Sequence, residues 1–215
     1  MEYGKDGRSL NQMNHLKTSL VAALLLSVLS ACYLPVRFDA EINLGRTGFY
    51  DIEFDGYLAK LPLTEDIGKG TLSEAEQEQK IGEVLSDLRR DASTQEAEYV
   101  KNGLFRLKWK KEGDMLKSKM VAFIRRNERI FSIKYLKDQG RMVLEGRKLS
   151  TKNAERVANS GLGTEGELRV RTDAKVLDHN ATEVRDVPKD KRTKIYVWKI
   201  KSLIDPAPRL TAVLR

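Results

Sequence analysis

Thiol and imidazole chemistry are almost absent from this chain: its 215 residues include one cysteine, Cys32, and two histidines, His15 and His179. A single cysteine leaves no internal disulfide and no thiolate zinc site. His179, set between Asp178 and Asn180, reads as a polar turn residue, because a histidine cluster or a nucleophile–histidine pair needs partners the chain does not supply. The longest apolar run, Leu20 to Leu29, has ten residues, half of what a membrane-spanning helix requires. No repeat, low-complexity run or phosphate-cradling glycine loop is present. Gly161, Gly163 and Gly166 precede a strand pattern and do not join a strand to a helix, as a dinucleotide fingerprint demands. No cofactor is expected.

Charge is plentiful. Charged residues make up 33% and hydrophobic residues 40%, a balance that suits a folded domain with a heavily charged surface. The net charge of +8 is unevenly spread: residues 33–100 hold 7 basic and 15 acidic side chains, residues 101–150 hold 15 and 5, and residues 151–215 hold 14 and 9. An acidic third is followed by two basic ones.

The ten-residue apolar run follows a short basic flank, Asn14 to Ser19, and ends in Leu29-Ser30-Ala31-Cys32. Length, flank and small residues fit a secretion signal, not a buried helix. The four residues resemble the bacterial lipobox, which implies cleavage between Ala31 and Cys32 and a diacylglyceryl thioether on Cys32. Residues 1–31 are thus expected to be a signal peptide, with Met13 a more compact start than Met1, and residues 32–215 a single extracytoplasmic domain. Export argues against nucleic acid as the partner of the basic charge. Tyr33 after the cysteine, where a retention signal would place Asp, implies the outer membrane, facing the periplasm, in a cell with two membranes. In a cell with one, the implied location is the outer leaflet of the cytoplasmic membrane. With Tyr33, Leu34 and Pro35 as the whole tether, the domain is expected within roughly 15 Å of the bilayer.

Val36 to Leu44 alternates apolar and polar, and Tyr50 to Leu58 continues the pattern after a turn at Gly45-Arg46-Thr47-Gly48, so a hairpin with Gly48 left-handed is expected. That register pairs Ile42 with Ile52 and Ala40 with Phe54 on one face. On the other it opposes Glu41 to Glu53 and Asp39 to Asp55, with Asp51 alongside. Like charges so placed repel, which makes these five carboxylates a candidate divalent-cation site or a face neutralised by basic neighbours. Pro62 to Gly70 reads as a loop. Ser73 and Glu76 have capping-box spacing, and Ile81, Val84, Leu85 and Leu88 then mark an amphipathic helix over about 73–90.

Strand patterns return around Phe105-Leu107-Trp109, Phe131-Ile133-Tyr135 and Met142 to Leu149, with Met115 to Arg126 ambiguous between strand and short helix. Basic residues here, Lys108, Lys110, Lys111, Lys117, Lys119, Arg125, Arg126 and Arg129, are candidate contacts for anionic lipid head groups beside a membrane anchor. A second short helix is expected over about 151–160, stopped by Gly161. Leu168 to Val176 reads as one strand, Glu183 to Val187 as another, and Thr193 to Ile200, apolar on both faces, as a central doubly covered strand.

A lipobox, an immediate alternating strand with a glycine turn, a central helix, and a late strand of the Asn180 to Trp198 kind together resemble the LppM-type bacterial lipoprotein domain. The resemblance spans about the first 30 residues after the leader and the last 50. It implies an α+β domain displayed on the cell envelope and transfers no catalytic residue. The residues themselves point to an α+β fold: a curved, mostly antiparallel sheet of six or more strands, its apolar face covered by the Ser73 helix. The function expected is that of a non-enzymatic envelope lipoprotein held to the membrane by lipid and binding anionic lipid or an envelope protein complex. The alternatives are a carboxylate-based hydrolase or transferase, which would need an acid buried in a cleft, and a purely structural assembly module.

Overall fold

The computed structural model describes residues 33–125 and 129–214. The leader, Ala31, Cys32 and Arg126 lie outside the described residues. Among those described are twelve strands in two sheets and four α-helices.

The hairpin forms as its pattern predicts. β1 (Tyr33–Leu44) and β2 (Phe49–Lys60) pair antiparallel with Ile42 opposite Ile52, Ala40 opposite Phe54, Glu41 opposite Glu53 and Asp39 opposite Asp55. Gly48 sits at φ +94°, which only glycine adopts without strain, and its N–H donates to the Gly45 carbonyl at 2.9 Å. β1 begins earlier than the alternation suggests. Tyr33 and Leu34 are already in the strand and both are buried, so the three-residue tether is part of the fold.

A seven-stranded sheet grows from this hairpin. β3 (Thr94–Lys101) and β4 (Leu104–Asp114) extend it from β2, and β8 (Glu165–Thr172), β11 (Asp190–Ile200) and β10 (Glu183–Val187) extend it from β1. β1 and β8 run parallel, while the other pairs in the sheet are antiparallel. β11 lies one strand in from the edge and not at the centre. Tyr196 and Trp198 fill its inner face, and Val197, fully buried on the other, lies between Arg169 and Glu183 in the register.

The largest departure from expectation is a second sheet, of order β5 (Met120–Ile124), β6 (Arg129–Leu136), β7 (Arg141–Gly146), β12 (Arg209–Val213) and β9 (Lys175–His179). This sheet covers the apolar face of the first. Phe123 of β5 packs its ring 4.5 Å from Phe54 and 5.0 Å from Trp109 across the gap, and one hydrophobic cluster takes residues from both sheets. Two sheets packed face to face bury their alternating inner residues without a helix between them.

The helices sit at the margins. α1 (Leu61–Gly68) replaces the expected loop, with Pro62 in its first turn, where the missing N–H costs nothing. α2 (Glu74–Arg89) has the full capping box between Ser73 and Glu76 and packs on β3 through Val84 and Leu88, at the sheet's edge and not over its face. The ambiguous Met115 segment is both things in turn: a single helical turn, α3 (Met115–Ser118), and then β5. α4 (Thr151–Asn159) is capped by Ser150 and buries Ala154 and Val157. Leu34, Ala59, Leu61 and Val157 form a small separate cluster where β1 begins.

Candidate functional site

Two features could carry chemistry: the outer face of the seven-stranded sheet and a cleft between the sheets.

The outer face gathers the five predicted carboxylates. The strands on either side of the hairpin bring cations against them. On the β4 side, Lys110 Nζ lies 2.7 Å from Glu53 and 3.4 Å from both Asp51 and Glu112, and Arg106 pairs with Asp55. On the β8 side, Arg169 reaches Asp39 at 2.8 Å, Glu167 at 3.1 Å and Glu41 at 3.3 Å. The network runs on to the sheet edges through Lys108 to Glu96 at 2.9 Å and through Arg185 and Lys199 to Glu183 at 2.7 and 2.9 Å. Carboxylates that repel across the hairpin are thus neutralised by the next strand over. Among the described residues no group of three or more His, Cys, Asp or Glu is arranged to hold a metal ion.

The charges respond as such contacts require. Hydrogen bonds from Arg185 and then Lys199 hold the Glu183 carboxyl down at about 2 against an ordinary 4.5. Lys108 lowers Glu96 in the same way, and the hydrogen bond to Glu53 raises the Lys110 ammonium. A carboxyl whose folded value lies below its unfolded one stabilises the fold above the unfolded value and loses that contribution as pH falls to the folded value. The thermal midpoint should therefore decline as pH falls from about 4.5 to 2. The decline should be shallower in high salt, since exposed pairs are screened. A midpoint flat across that window in low salt would contradict the network.

The candidate lipid-contact residues are not brought together. Lys108 and Lys110 are paired on the outer face. Lys111 lies 5.9 Å above the Trp109 ring, and Arg125 reaches across to Asp87 of α2 at 2.7 Å. Lys117 and Lys119 lie in and just after α3, and Arg129 is on β6. His179 is not in a turn but closes β9 opposite Leu210, its Nδ1 accepting the Ala181 N–H at 3.2 Å and its ring packed edge-on to Tyr196 at 4.8 Å.

The cleft was not visible in the sequence. It lies between the sheets at the end where β1 begins, with a volume of about 110 Å³ and a mostly apolar lining. Phe38, Ala40, Phe54 and Leu168 come from the first sheet, Phe131 from the second, and Tyr33 stands at the same end with Lys60 Nζ 4.1 Å above its ring. Arg147, Lys148 and the turn at Asp205 border it. The five carboxylates face the opposite side of the sheet, so none of them enters it. Asp205, the acid at its border, is engaged in shaping its own turn, accepting the N–H groups of Lys201 and Ser202 at 2.7 and 2.9 Å.

No family model matches the chain, and no curated protein sequence does either. Among solved structures, the chain is similar to the folded domain of LppM from Mycobacterium tuberculosis, determined by NMR. The TM-score is 0.40 and the identity 11%, over 83% of this chain and 89% of that one. Likeness of that degree leaves the site to be read from this chain's own residues.

Proposed function

We propose that this protein is an envelope lipoprotein, held to a membrane by a lipid on Cys32, and that it binds lipid by taking a single acyl chain into the cleft. The observation that carries the reading is the position of the cleft: its apolar lining includes Tyr33, the residue directly after the cysteine of the lipobox-like segment. An acyl chain and a cleft of this lining match in polarity. Each methylene taken from water into such a lining is worth about 0.8 kcal/mol.

The same geometry favours binding over catalysis. General acid–base chemistry on a bound substrate needs carboxyl groups set in a cleft with their pKa values pushed apart. Here the acid-rich face and the apolar cleft lie on opposite sides of one sheet, and the carboxylates are engaged by Lys and Arg.

The test has two arms. Cys32→Ser should abolish incorporation of labelled palmitate, and unchanged labelling would remove the anchor. A fluorescent fatty acid should bind the chain and be displaced by palmitate. Ala40→Phe, which fills the floor of the cleft, and Ala207→Trp, which blocks its mouth, should each weaken that binding at least tenfold, about 1.4 kcal/mol. A variant that stays folded and binds as tightly as the parent would show that the acyl chain sits elsewhere.

A further inference from the structure

The cleft end also carries the most exposed large apolar side chain among those described. Ile204, 69% exposed, stands at the tip of the turn between β11 and β12. The turn is rigidly built. Leu203 roots it in the small cluster with Leu34, Leu61 and Val157, the Asp205 carboxylate accepts two backbone N–H groups, and Pro206 and Pro208 follow. A side chain presented outward on so firm a base is not explained by the protein's own packing.

Its surroundings are basic. Arg147, Lys148 and Lys201 are exposed around the same rim. Asp205, at the same rim, is engaged in the turn. One isoleucine in a cationic rim suits an interface that is apolar just below an anionic surface. The chain outside the described residues joins at this same end, through Tyr33.

We propose that this end of the protein docks into an anionic bilayer surface, with Ile204 entering the interfacial layer and Arg147, Lys148 and Lys201 facing the head groups. The inference rests on the anchor at Cys32 for its orientation and assigns a membrane-contact surface that anchoring alone does not require. It also sets the mouth of the cleft against the lipid supply. The basic contact surface is thus at the anchored end, on Arg147, Lys148 and Lys201, and not on the earlier basic residues Lys108 to Arg129.

Tryptophan scanning on the lipidated protein tests it. Trp109 and Trp198, at 1% and 2% exposure, are shielded from lipid, so a new tryptophan reports its own position. In vesicles of mixed phosphatidylglycerol and phosphatidylcholine with brominated acyl chains, the added emission of Ile204→Trp should be quenched about twofold, as expected for a side chain below the head groups. Phe49→Trp should be unquenched. That residue is 64% exposed but lies at the far tip of the hairpin, about 35 Å away along β1. Quenching at Ile204→Trp should weaken in all-phosphatidylcholine vesicles. Equal quenching of the two variants, or none at Ile204→Trp, would overturn the docking surface. The mass of the Cys32 peptide reads the anchor separately, so loss of the lipid adduct and loss of docking are distinct results.

Discussion

Gly166→Val should destabilise the protein by about 3 kcal/mol or more, the upper range for forcing extra atoms into a packed interior, and lower the thermal midpoint by roughly 10 °C. A β-carbon at Gly166 would lie 2.4 Å from the Phe38 carbonyl oxygen and 2.5 Å from its ring. Phe38 is also opposite Gly56 on its other side, where a β-carbon would meet the Arg37 carbonyl at 2.5 Å. The row Gly56-Phe38-Gly166 crosses three neighbouring strands. Two glycines leave the space into which one phenylalanine spreads, stacked 5.9 Å from Phe54. Phe38 thereby lines the cleft, and the parallel pairing of β1 with β8 depends on close approach at this point.

Two further variants make that prediction specific. Gly82→Ala meets nothing within 4 Å and lies in the exposed part of α2, so it should stabilise by about 0.5 to 1 kcal/mol, the ordinary helix preference. The double variant Phe38→Ala/Gly166→Val should cost less than the sum of the two single variants, because the clash with the ring vanishes while the carbonyl contact stays. Urea unfolding of the parent, Phe38→Ala, Gly166→Val and the double variant would measure the coupling. If Gly166→Val and Gly82→Ala had similar effects, the row would have no structural weight.

How much of this was legible follows from what alternation encodes. The period of two fixes which side chains share a face, and the glycine turn fixes where the chain reverses, so the β1–β2 register could be written down residue by residue. Alternation does not say what covers the apolar face. An amphipathic helix was the nearest candidate in the sequence, yet its buried stripe reduces to Val84 and Leu88 at an edge strand, too narrow to cover seven strands. The segment read as one strand from Leu168 to Val176 is two, divided between the sheets at Asp173 and Ala174. Thr172 makes the crossing possible, its hydroxyl donating to the Leu44 carbonyl at 2.6 Å and accepting the Ala174 N–H at 3.0 Å. The apolar pattern runs on through the crossing because both sheets face the same core. The cleft has no local signature either: its lining comes from separate stretches of the chain, among them Tyr33 to Ala40, Phe54, Phe131, Leu168 and the turn after β11, which only the two-sheet arrangement brings together. The five carboxylates could be placed on one face from sequence. Their partner Arg169 could not, since it lies 128 and 130 residues further along the chain from Glu41 and Asp39.

Trp109→Ala should cost about 3 to 5 kcal/mol, the usual range for emptying a buried aromatic site, because three parts of the fold meet on that indole. Its face belongs to β4 of the first sheet, and its edge contact with Phe123, rings 5.0 Å apart, ties in the second. Its Nε1 donates to the Asp91 carboxylate at 3.1 Å just beyond the C-terminus of α2. Burial pushes the Asp91 carboxyl up, but the Ser93 N–H and the Trp109 indole more than offset it and hold the carboxyl below its usual value. Trp109→Phe separates the two roles. It keeps most of the apolar contact and removes the indole donor, so its cost should be about 1 to 3 kcal/mol, and the Asp91 carboxyl should titrate higher than in the parent. In the parent that depressed value contributes stability above the unfolded pKa and loses it as pH falls through the folded one. Trp109→Phe should therefore show a smaller loss of stability on acidification, measured from its own value at neutral pH. Side-chain carboxyl titration by NMR, with urea unfolding at neutral and acid pH, would check both. An Asp91 titration unmoved by Trp109→Phe would mean that the indole fills space between the sheets without tying α2 to them.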